Sequence, residues 1–162
     1  MIVCDLDNFK SVNDTYGHAA GDAVLRELGS IVRLTMRDSD IAGRIGGEEF
    51  ALLLPHCDTA GAHRFAERLR TALMEARFPA IPASRTITAS LGIAQHRHKE
   101  PLWDFVSRAD EQLYAAKHAG KNRTFVDTTA IEITQHPEPR LVTKLAGRSG
   151  AARLRGSSRR GS

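Results

Sequence analysis

Residues 41–54 read Ile-Ala-Gly-Arg-Ile-Gly-Gly-Glu-Glu-Phe-Ala-Leu-Leu-Leu. The first five and the last five residues of this stretch are strand-like runs, and Gly46 and Gly47 lie between them. A Gly-Gly pair supplies the positive φ angles that a tight turn between antiparallel strands requires. The stretch therefore predicts a β-hairpin that carries Glu48 and Glu49 at its tip.

A further carboxylate lies near the end of the first strand-like run, where residues 1–6 are apolar apart from Asp5. If that strand neighbours the hairpin, the three carboxylates meet at one sheet edge, where they repel unless a hard cation such as Mg²⁺ lies between them. Glu48 and Glu49 are adjacent, so strand geometry allows only one of them to share the face of Asp5. The alternative is that each is an ordinary solvated surface group.

The rest of the chain alternates between helical and strand-like patterns. Apolar stripes predict helices over residues 19–36, 59–76 and 101–118, and a period of two over residues 86–95 predicts a half-covered strand. Residues 123–126 are a candidate edge strand. Strands joined partly by helices and partly by a hairpin favour an α/β sandwich with a mixed or antiparallel sheet.

Details of these helices can be predicted as well. Gly21-Asp22 is a possible cap near the start of the first helix, and Gly120 is the expected terminator of the last one. The last helix is expected to begin at Pro101. Its apolar face is expected to include six residues: Leu102, Phe105, Val106, Ala109, Leu113 and Tyr114.

The charge distribution argues against a groove for long nucleic acids. Residues 1–126 carry 16 Lys+Arg and 16 Asp+Glu, so the net charge of +4 belongs to residues 127–162. A neutral body lacks the extended positive surface that neutralises phosphates. The Gly-, Ser- and Arg-rich end, residues 147–162, has no interleaved aromatic residues, which predicts a solvated disordered tail; the alternative is an arm that binds RNA or a membrane surface.

Composition and cysteine usage indicate a single soluble domain in the cytoplasm. The chain is 41% hydrophobic and 26% charged, which is enough apolar content for a core. Cys4 and Cys57 show no spacing typical of a zinc site or a disulfide framework, so a reducing compartment fits best. The sequence shows no apolar run of about 18 residues, and no signal peptide.

Three blocks of sequence resemble one known family. Residues 5–18 read DLDNFKSVNDTYGH and are followed by Gly21-Asp22, which closely resembles the DxDxFKxINDxxGHxxGD stretch of GGDEF domains. Residues 46–50 match the family's signature loop in its GGEEF form. The third block resembles the family's closing helix and strand, and consists of Ala109-Asp110, Leu113-Tyr114, Ala116-Lys117 and residues 120–123.

These blocks occur in the family's order over most of residues 2–126, so the chain is identified as a member of the GGDEF family of diguanylate cyclases. The resemblance implies a palm-like sandwich, similar to nucleotidyl cyclases, with a central, mostly antiparallel sheet flanked by helices and a hairpin that carries the signature loop. Relatives usually have a helical stretch before the first strand. We therefore expect a GGDEF domain over residues 1–126 that lacks its leading helices, which would leave a hydrophobic face of the sheet bare, followed by a basic tail over residues 127–162.

The resemblance also implies roles for the acidic residues. Asp5 and Glu48 would ligate Mg²⁺ or Mn²⁺, two ions per half-site, with help from the carbonyl of Leu6. Glu49 would contribute at the metal site or in proton removal. Clustered oxygen ligands completed by substrate phosphates are what such hard cations prefer.

Guanine and phosphate contacts follow from the same match. Asn13 and Asp22 would contact guanine, since a carboxylate can accept from both donors on one guanine edge. The phosphate-contacting positions are Lys10, His18, Lys117 and Lys121, and Lys121 stands where many relatives have Arg, which keeps the charge but loses the bidentate grip.

Each of these positions has a simpler alternative interpretation. Asn13 could be a turn residue and Asp22 a helix cap. Lys117 and Lys121 could complement the helix dipole. His18 could satisfy a local loop.

A possible inhibitory site lies upstream of the signature loop. Arg37 and Asp40 form the family's RxxD pattern at the family's spacing to Gly46, which the resemblance identifies with a site for the product, and Arg68 could add a contact.

The implied reaction joins two GTP molecules into cyclic di-GMP and releases two pyrophosphates. Because one half-site holds one GTP, catalysis requires two domains to face each other in a homodimer. Two alternatives stay open: a catalytically silent module that acts as a receptor for GTP or cyclic di-GMP, and a cyclase that makes a cyclic mononucleotide. No nucleic acid and no membrane segment are expected among the partners.

Overall fold

The computed structural model describes residues 1–130, and within them five strands form one sheet. The sheet order is β2-β3-β1-β4-β5, and its neighbours are antiparallel except for the parallel pair β4-β5. The strands are β1 Ile2–Leu6, β2 Ile41–Arg44, β3 Glu49–Leu53, β4 Ala89–Ile93 and β5 Thr124–Val126. The predicted hairpin, the mixed sheet and the edge position of the last strand are confirmed.

Four helices flank this sheet: α1 Phe9–Tyr16, α2 His18–Thr35, α3 Thr59–Glu75 and α4 Leu102–His118. The last three lie where the apolar stripes predicted them. A 3₁₀ turn, Thr128–Ala130, follows β5. The greater part of the predicted tail lies outside the described residues.

Helix α1 was not predicted, and α1 and the start of α2 each correct an alternative interpretation. Asn13 is not a turn residue, because it lies inside α1, a helix anchored by the buried side chains of Phe9 and Val12. Asp22 is not a helix cap, because α2 begins four residues earlier, with Gly17 at its N-cap and a φ of 83°. Eight residues are too few for an apolar period to stand out from the surrounding motif.

The helices cover the two faces of the sheet unequally. Ile2, Cys4 and Leu6 point from β1 into the larger core, which α1, α2 and α3 complete. Val3 points to the other face, where α4 packs on the sheet through a smaller core that includes Phe105. Neighbouring strand residues alternate between faces, so Asp5 lies on the α4 side.

Strand β4 is covered on both faces, and the prediction of a half-covered strand is wrong. All five of its residues are buried, including Ser90. The reason is the close approach of α4, since a Cβ at Gly92 would collide with the backbone carbonyl of Ala109. Small residues on this strand are therefore there for packing, not for exposure to water.

The predicted apolar face of α4 is partly wrong. Phe105, Ala109 and Leu113 are buried as expected, but Leu102 is 65% exposed and Tyr114 is 63% exposed. On the same side of the sheet, the cross-strand pair Ile41 and Leu53 is also exposed. Helix α4 packs on β1, β4 and β5 and does not cover this part of the sheet.

The sheet carries a different charge cluster at each end of its strands, and we call these two ends its edges. The carboxylate edge, defined by Asp5, Glu48 and Glu49, lies where β1 ends and β3 begins. The opposite edge lies where β4 and β5 end, and we call it the ion-pair edge. Its members are Arg97, Glu100, Arg108 and Asp127. None of the helices in the described part of the chain is long and apolar enough to cross a membrane.

Candidate active site

The end of β1 and the tip of the hairpin meet, as the sequence predicted. Asp5 lies directly opposite Glu49 in the antiparallel pairing of β1 with β3. The backbone N–H of Leu6 donates to the carbonyl of Glu48 over 3.3 Å, which extends the pairing to the turn. Three carboxylates from two distant parts of the sequence thus share one edge of the sheet.

The register decides which glutamate shares the face of Asp5. Residues directly opposite in an antiparallel pair point to the same face, so Glu49 is on the Asp5 side. Glu48 precedes β3 and belongs to the turn, where the alternation of strand side chains does not fix its direction. The assignment of Glu48 as the metal ligand stays a prediction.

The carboxylates at this edge are poorly compensated. Burial raises the pKa of Asp5, and the charges of Glu49 and Asp7 raise it further, against the opposing effect of Lys117. Burial also raises the pKa of Glu48, followed by repulsion from Asp5. An ionised carboxylate is therefore less favourable here than in water, and a cation would relieve that cost.

The residues present fit a divalent metal whose shell is completed by substrate. Within residues 1–130 no group of three or more His, Cys, Asp or Glu side chains forms a ready-made metal cage. Mg²⁺ is usually bound by one or two carboxylates, with phosphates and water completing its octahedron. The Nζ of Lys117 lies 2.7 Å from Oδ2 of Asp5, so a positive charge is already accommodated at this carboxylate.

The two residues predicted to contact guanine lie on helices that pack together. The amide oxygen of Asn13, on α1, occupies the space that a Cβ at Gly21 would need on α2. Phe9 also approaches Gly21, at 3.1 Å from such a Cβ. Asp22 follows Gly21 on α2 and is exposed. The glycine therefore permits the close approach of Asn13 to the residue that precedes Asp22.

The structure brings together only some of the predicted phosphate contacts. Lys117 reaches Asp5 from the last turn of α4, and the Nζ of Lys121 lies 2.5 Å from Oδ1 of Asn8. Both cations thus lie at the carboxylate edge. Lys10, on α1, and His18, the first residue of α2, are exposed, and no recorded contact among the described residues ties them to that edge.

The residues of the predicted inhibitory site share one small cavity. Arg37 and Asp40 are joined by a tight turn in which the N–H of Arg37 donates to Oδ2 of Asp40 over 2.9 Å. They line a cavity of about 60 Å³ with Arg64 and Arg68 of α3. The guanidinium of Arg68 lies 5.5 Å from the ring centre of Phe65, which orients it beside the cavity.

Sequence reasoning missed Arg64 and Asp7. Arg64 lies four residues before Arg68, a spacing that places both on one helix face, and this was the available signal. Asp7 is buried beside the site and accepts three hydrogen bonds. Its only signal was its place two residues after Asp5, which does not distinguish a buried carboxylate from a solvated one.

Comparison with known proteins identifies the family. The sequence model described as "Diguanylate cyclase, GGDEF domain" matches residues 1–123. The chain belongs to the GGDEF-domain family.

Individual relatives agree with this assignment. Diguanylate cyclase A of Treponema denticola is 39% identical over 124 residues, which cover 76% of this chain and 33% of that protein. The GGDEF domain of DgcB from Caulobacter crescentus, solved in complex with c-di-GMP, is 34% identical with a TM-score of 0.73, and the match covers 77% of this chain and 75% of that one. The active GGEEF domain of a diguanylate cyclase from Vibrio cholerae is 34% identical with a TM-score of 0.72, over 77% of this chain and 80% of that one.

The chain spans about a third or less of the length of the curated relatives it matches. The family membership therefore describes the domain formed by the matched residues.

Proposed function

We propose that this chain is a diguanylate cyclase that condenses two GTP molecules into cyclic di-GMP and two pyrophosphates. The observation that carries the proposal is the meeting of Asp5 with Glu48 and Glu49 at one sheet edge, with Lys117 bound to Asp5. Undercompensated carboxylates beside a lysine suit a metal-bound triphosphate.

Asp5 and Glu48 hold the divalent ions in this proposal, two per half-site, with the carbonyl of Leu6 assisting. Bound Mg²⁺ or Mn²⁺ would neutralise charge on the phosphates and activate the ribose hydroxyl that attacks the α-phosphorus. Glu49 supports the metal site or removes the proton, and the register that places it opposite Asp5 supports this role.

Basic side chains from several segments receive the triphosphate. Lys117 of α4 and Lys121 after α4 stabilise the departing pyrophosphate, with Lys10 and His18 as further contacts. Asn13 and Asp22 read the guanine, and the packing of Asn13 against Gly21 supports this pairing. Catalysis requires a homodimer in which two such half-sites face each other.

The deciding experiment is incubation of the full 162-residue chain with GTP and Mg²⁺, with the product identified by mass. Cyclic di-GMP is the expected product. Glu48→Gln should abolish synthesis because it removes a charged metal ligand, while Glu111→Gln, on the exposed side of α4, should retain it. Retained synthesis in Glu48→Gln contradicts the ligand assignment. A product with the mass of cyclic GMP supports the mononucleotide alternative, and tight binding of cyclic di-GMP without synthesis supports the receptor.

The guanine contacts can be tested by a pair of matched glycines on α2. Gly21→Ala should weaken GTP binding about tenfold, because a methyl group displaces the Asn13 amide. Gly29→Ala meets nothing within 4 Å and should leave binding unchanged, with a small gain in stability because alanine favours helix. Equal GTP affinity in the two variants, measured by titration calorimetry, would be evidence against Asn13 as a guanine contact.

Product inhibition is proposed at Arg37, Asp40 and Arg68. The proposal is supported by the cavity that these residues share. Among the described residues that line it, three are arginines and one, Asp40, is acidic. Guanidinium groups that repel one another are stabilised by a phosphate-bearing ligand. Joint replacement of Arg37 and Asp40 by Ala should relieve inhibition by cyclic di-GMP without changing the initial rate, and unchanged inhibition rejects the site.

A further inference from the structure

Asp7 is a buried carboxylate that joins three segments of the chain. It is 6% exposed, and its Oδ1 accepts from the hydroxyl of Ser90 over 2.7 Å. Its Oδ2 accepts from the hydroxyl of Thr88 over 2.8 Å and from the backbone N–H of Asn122 over 2.9 Å. These bonds connect the end of β1 to β4 and to the segment that follows α4.

The segment after α4 has an unusual backbone conformation. Lys121 and Asn122 have φ angles of 63° and 46°, in the left-handed region that costs free energy for residues other than glycine. Asn122 is held by Asp7 and by Arg70, whose Nη1 donates to Oδ1 of Asn122 over 2.8 Å. The Nε of Arg123 donates to the carbonyl of Lys121 over 2.9 Å. Several contacts thus converge on two consecutive residues.

Arg70 is also held by a carboxylate of its own helix. Its Nη2 lies 2.8 Å from Oε2 of Glu67, one turn earlier on α3, and its Nε contacts both oxygens of that carboxylate. Glu67 also accepts from the hydroxyl of Thr124 over 2.7 Å, at the first residue of β5. Helix α3 therefore supports the strained pair, Lys121 and Asn122, through the side chain of Asn122.

The strained pair determines where the Lys121 side chain points. Its ammonium lies 2.5 Å from Oδ1 of Asn8, the residue after Asp7. An extended or right-handed backbone at Lys121 would direct the side chain elsewhere, because reversing the sign of φ reorients the Cα–Cβ bond. The position of this cation at the carboxylate edge thus depends on contacts made by its neighbour.

We propose that Asp7 and Arg70 are positioning residues for the reaction. Together they hold the left-handed pair Lys121–Asn122 and so keep the Lys121 ammonium where it meets the triphosphate. The inference rests on the proposed function, since it assigns Lys121 to GTP. It adds that α3 contributes to GTP affinity through Arg70, although Arg70 does not touch the substrate.

The test measures binding of the α,β-methylene analogue of GTP, which cannot release pyrophosphate, to the full chain with Mg²⁺. Arg70→Met should weaken binding about fivefold because the pair is no longer held. Arg77→Met, at an exposed position just after α3, should change binding less than about twofold. In a Lys121→Met background, Arg70→Met should have no further effect, because it acts through the lysine that is already gone.

A second pair of variants separates backbone conformation from folding. Asn122→Gly adopts positive φ freely, while Asn122→Ala does not, and both lack the amide that Arg70 binds. The glycine variant should therefore bind the analogue more tightly than the alanine variant at equal thermal stability. Asp7→Asn, which keeps one acceptor oxygen, should raise KM for GTP more than it lowers kcat.

The outcomes distinguish this inference from the proposed function. Equal weakening by Arg70→Met with and without Lys121 overturns the inference, because a general structural role would act in both backgrounds. Equal affinities of the two Asn122 variants, or no effect of Arg70→Met, also overturn it while leaving synthesis by the parent chain intact. Failure of the parent chain to bind the analogue overturns the proposed function and this inference together.

Discussion

The carboxylate edge and the ion-pair edge of the sheet carry similar numbers of charges but differ in how many of these charges are paired. At the ion-pair edge, Arg108 contacts both Glu100 and Asp127, and Arg97 adds a second contact to Asp127. At the carboxylate edge, Lys117 binds Asp5 and the glutamates have no recorded ion pair among the described residues. Among the described residues, every carboxylate of the ion-pair edge has a basic partner, whereas at the carboxylate edge only Asp5 has one.

The pKa directions follow this difference. At the ion-pair edge, the hydrogen bond from Arg108 lowers the pKa of Glu100. Burial acts to raise the pKa of Asp127, but its bonds with Thr129 and Arg108 outweigh that effect and lower it. At the carboxylate edge, burial and repulsion raise the pKa values of Asp5 and Glu48. The fold thus places carboxylates with lowered pKa values at one edge and carboxylates with raised pKa values at the other.

The largest effect is expected from removing the shared arginine of the ion-pair edge. Arg108→Met should lower the free energy of unfolding by about 3 kcal/mol, because two mostly buried carboxylates lose their partner. Arg97→Met should cost less than about 1 kcal/mol, since this side chain is 34% exposed. Urea unfolding measures both values, and equal losses in the two variants would contradict the central role of Arg108.

Acid should reduce the difference in the free energy of unfolding between the parent chain and Arg108→Met. The folded-state pKa values of Glu100 and Asp127 are below their ordinary values. Their contribution is therefore complete above the ordinary values and is lost as the pH falls through the lowered ones, below about pH 4. Urea unfolding of both proteins near neutrality and near pH 3 measures this difference. A difference in unfolding free energy that is the same at both pH values would refute the prediction.

The smallest changes in the free energy of unfolding are expected when one glutamate at each edge is replaced by glutamine. Glu100→Gln should lower the free energy of unfolding by about 1 kcal/mol, because it weakens charge-assisted bonds to Arg108. Glu48→Gln should leave it unchanged or raise it slightly in metal-free buffer, because burial and repulsion from Asp5 disfavour the charged form and water screens this half-exposed group. Equal destabilisation by Glu100→Gln and Glu48→Gln would contradict the proposed difference between the two edges.

Local patterns predicted most of the elements in the structure. The hairpin followed from Gly46 and Gly47, and the three longer helices followed from apolar stripes of at least four turns. Helix α1 was missed because its eight residues are too short to show a period. Tyr114 was placed on the apolar face of α4 because it follows Leu113 in the stripe. The helix packs on the sheet here through Leu113 and Ala116, which are buried, while Tyr114 lies off that face and is 63% exposed.

The candidate site was predictable only in part. The order of Asp5, Asn13, Asp22, Glu48 and Lys117 along the chain indicated the family and the chemistry. Their spatial relations depend on strand register and helix packing, which are contacts between residues distant in sequence. No local pattern could show that Glu49, rather than Glu48, lies opposite Asp5.

The sequence by itself determined the hairpin, the positions of the long helices and the set of acidic, amide and basic residues that place the chain in the GGDEF family. Only the tertiary structure decided which charges are compensated. Asp7 became a buried acceptor because β4 and the segment after α4 enclose it, and the ion-pair edge formed because β5 ends beside β4. The physical reason is that compensation depends on distance in space, which a hydrophobic period or a motif does not specify.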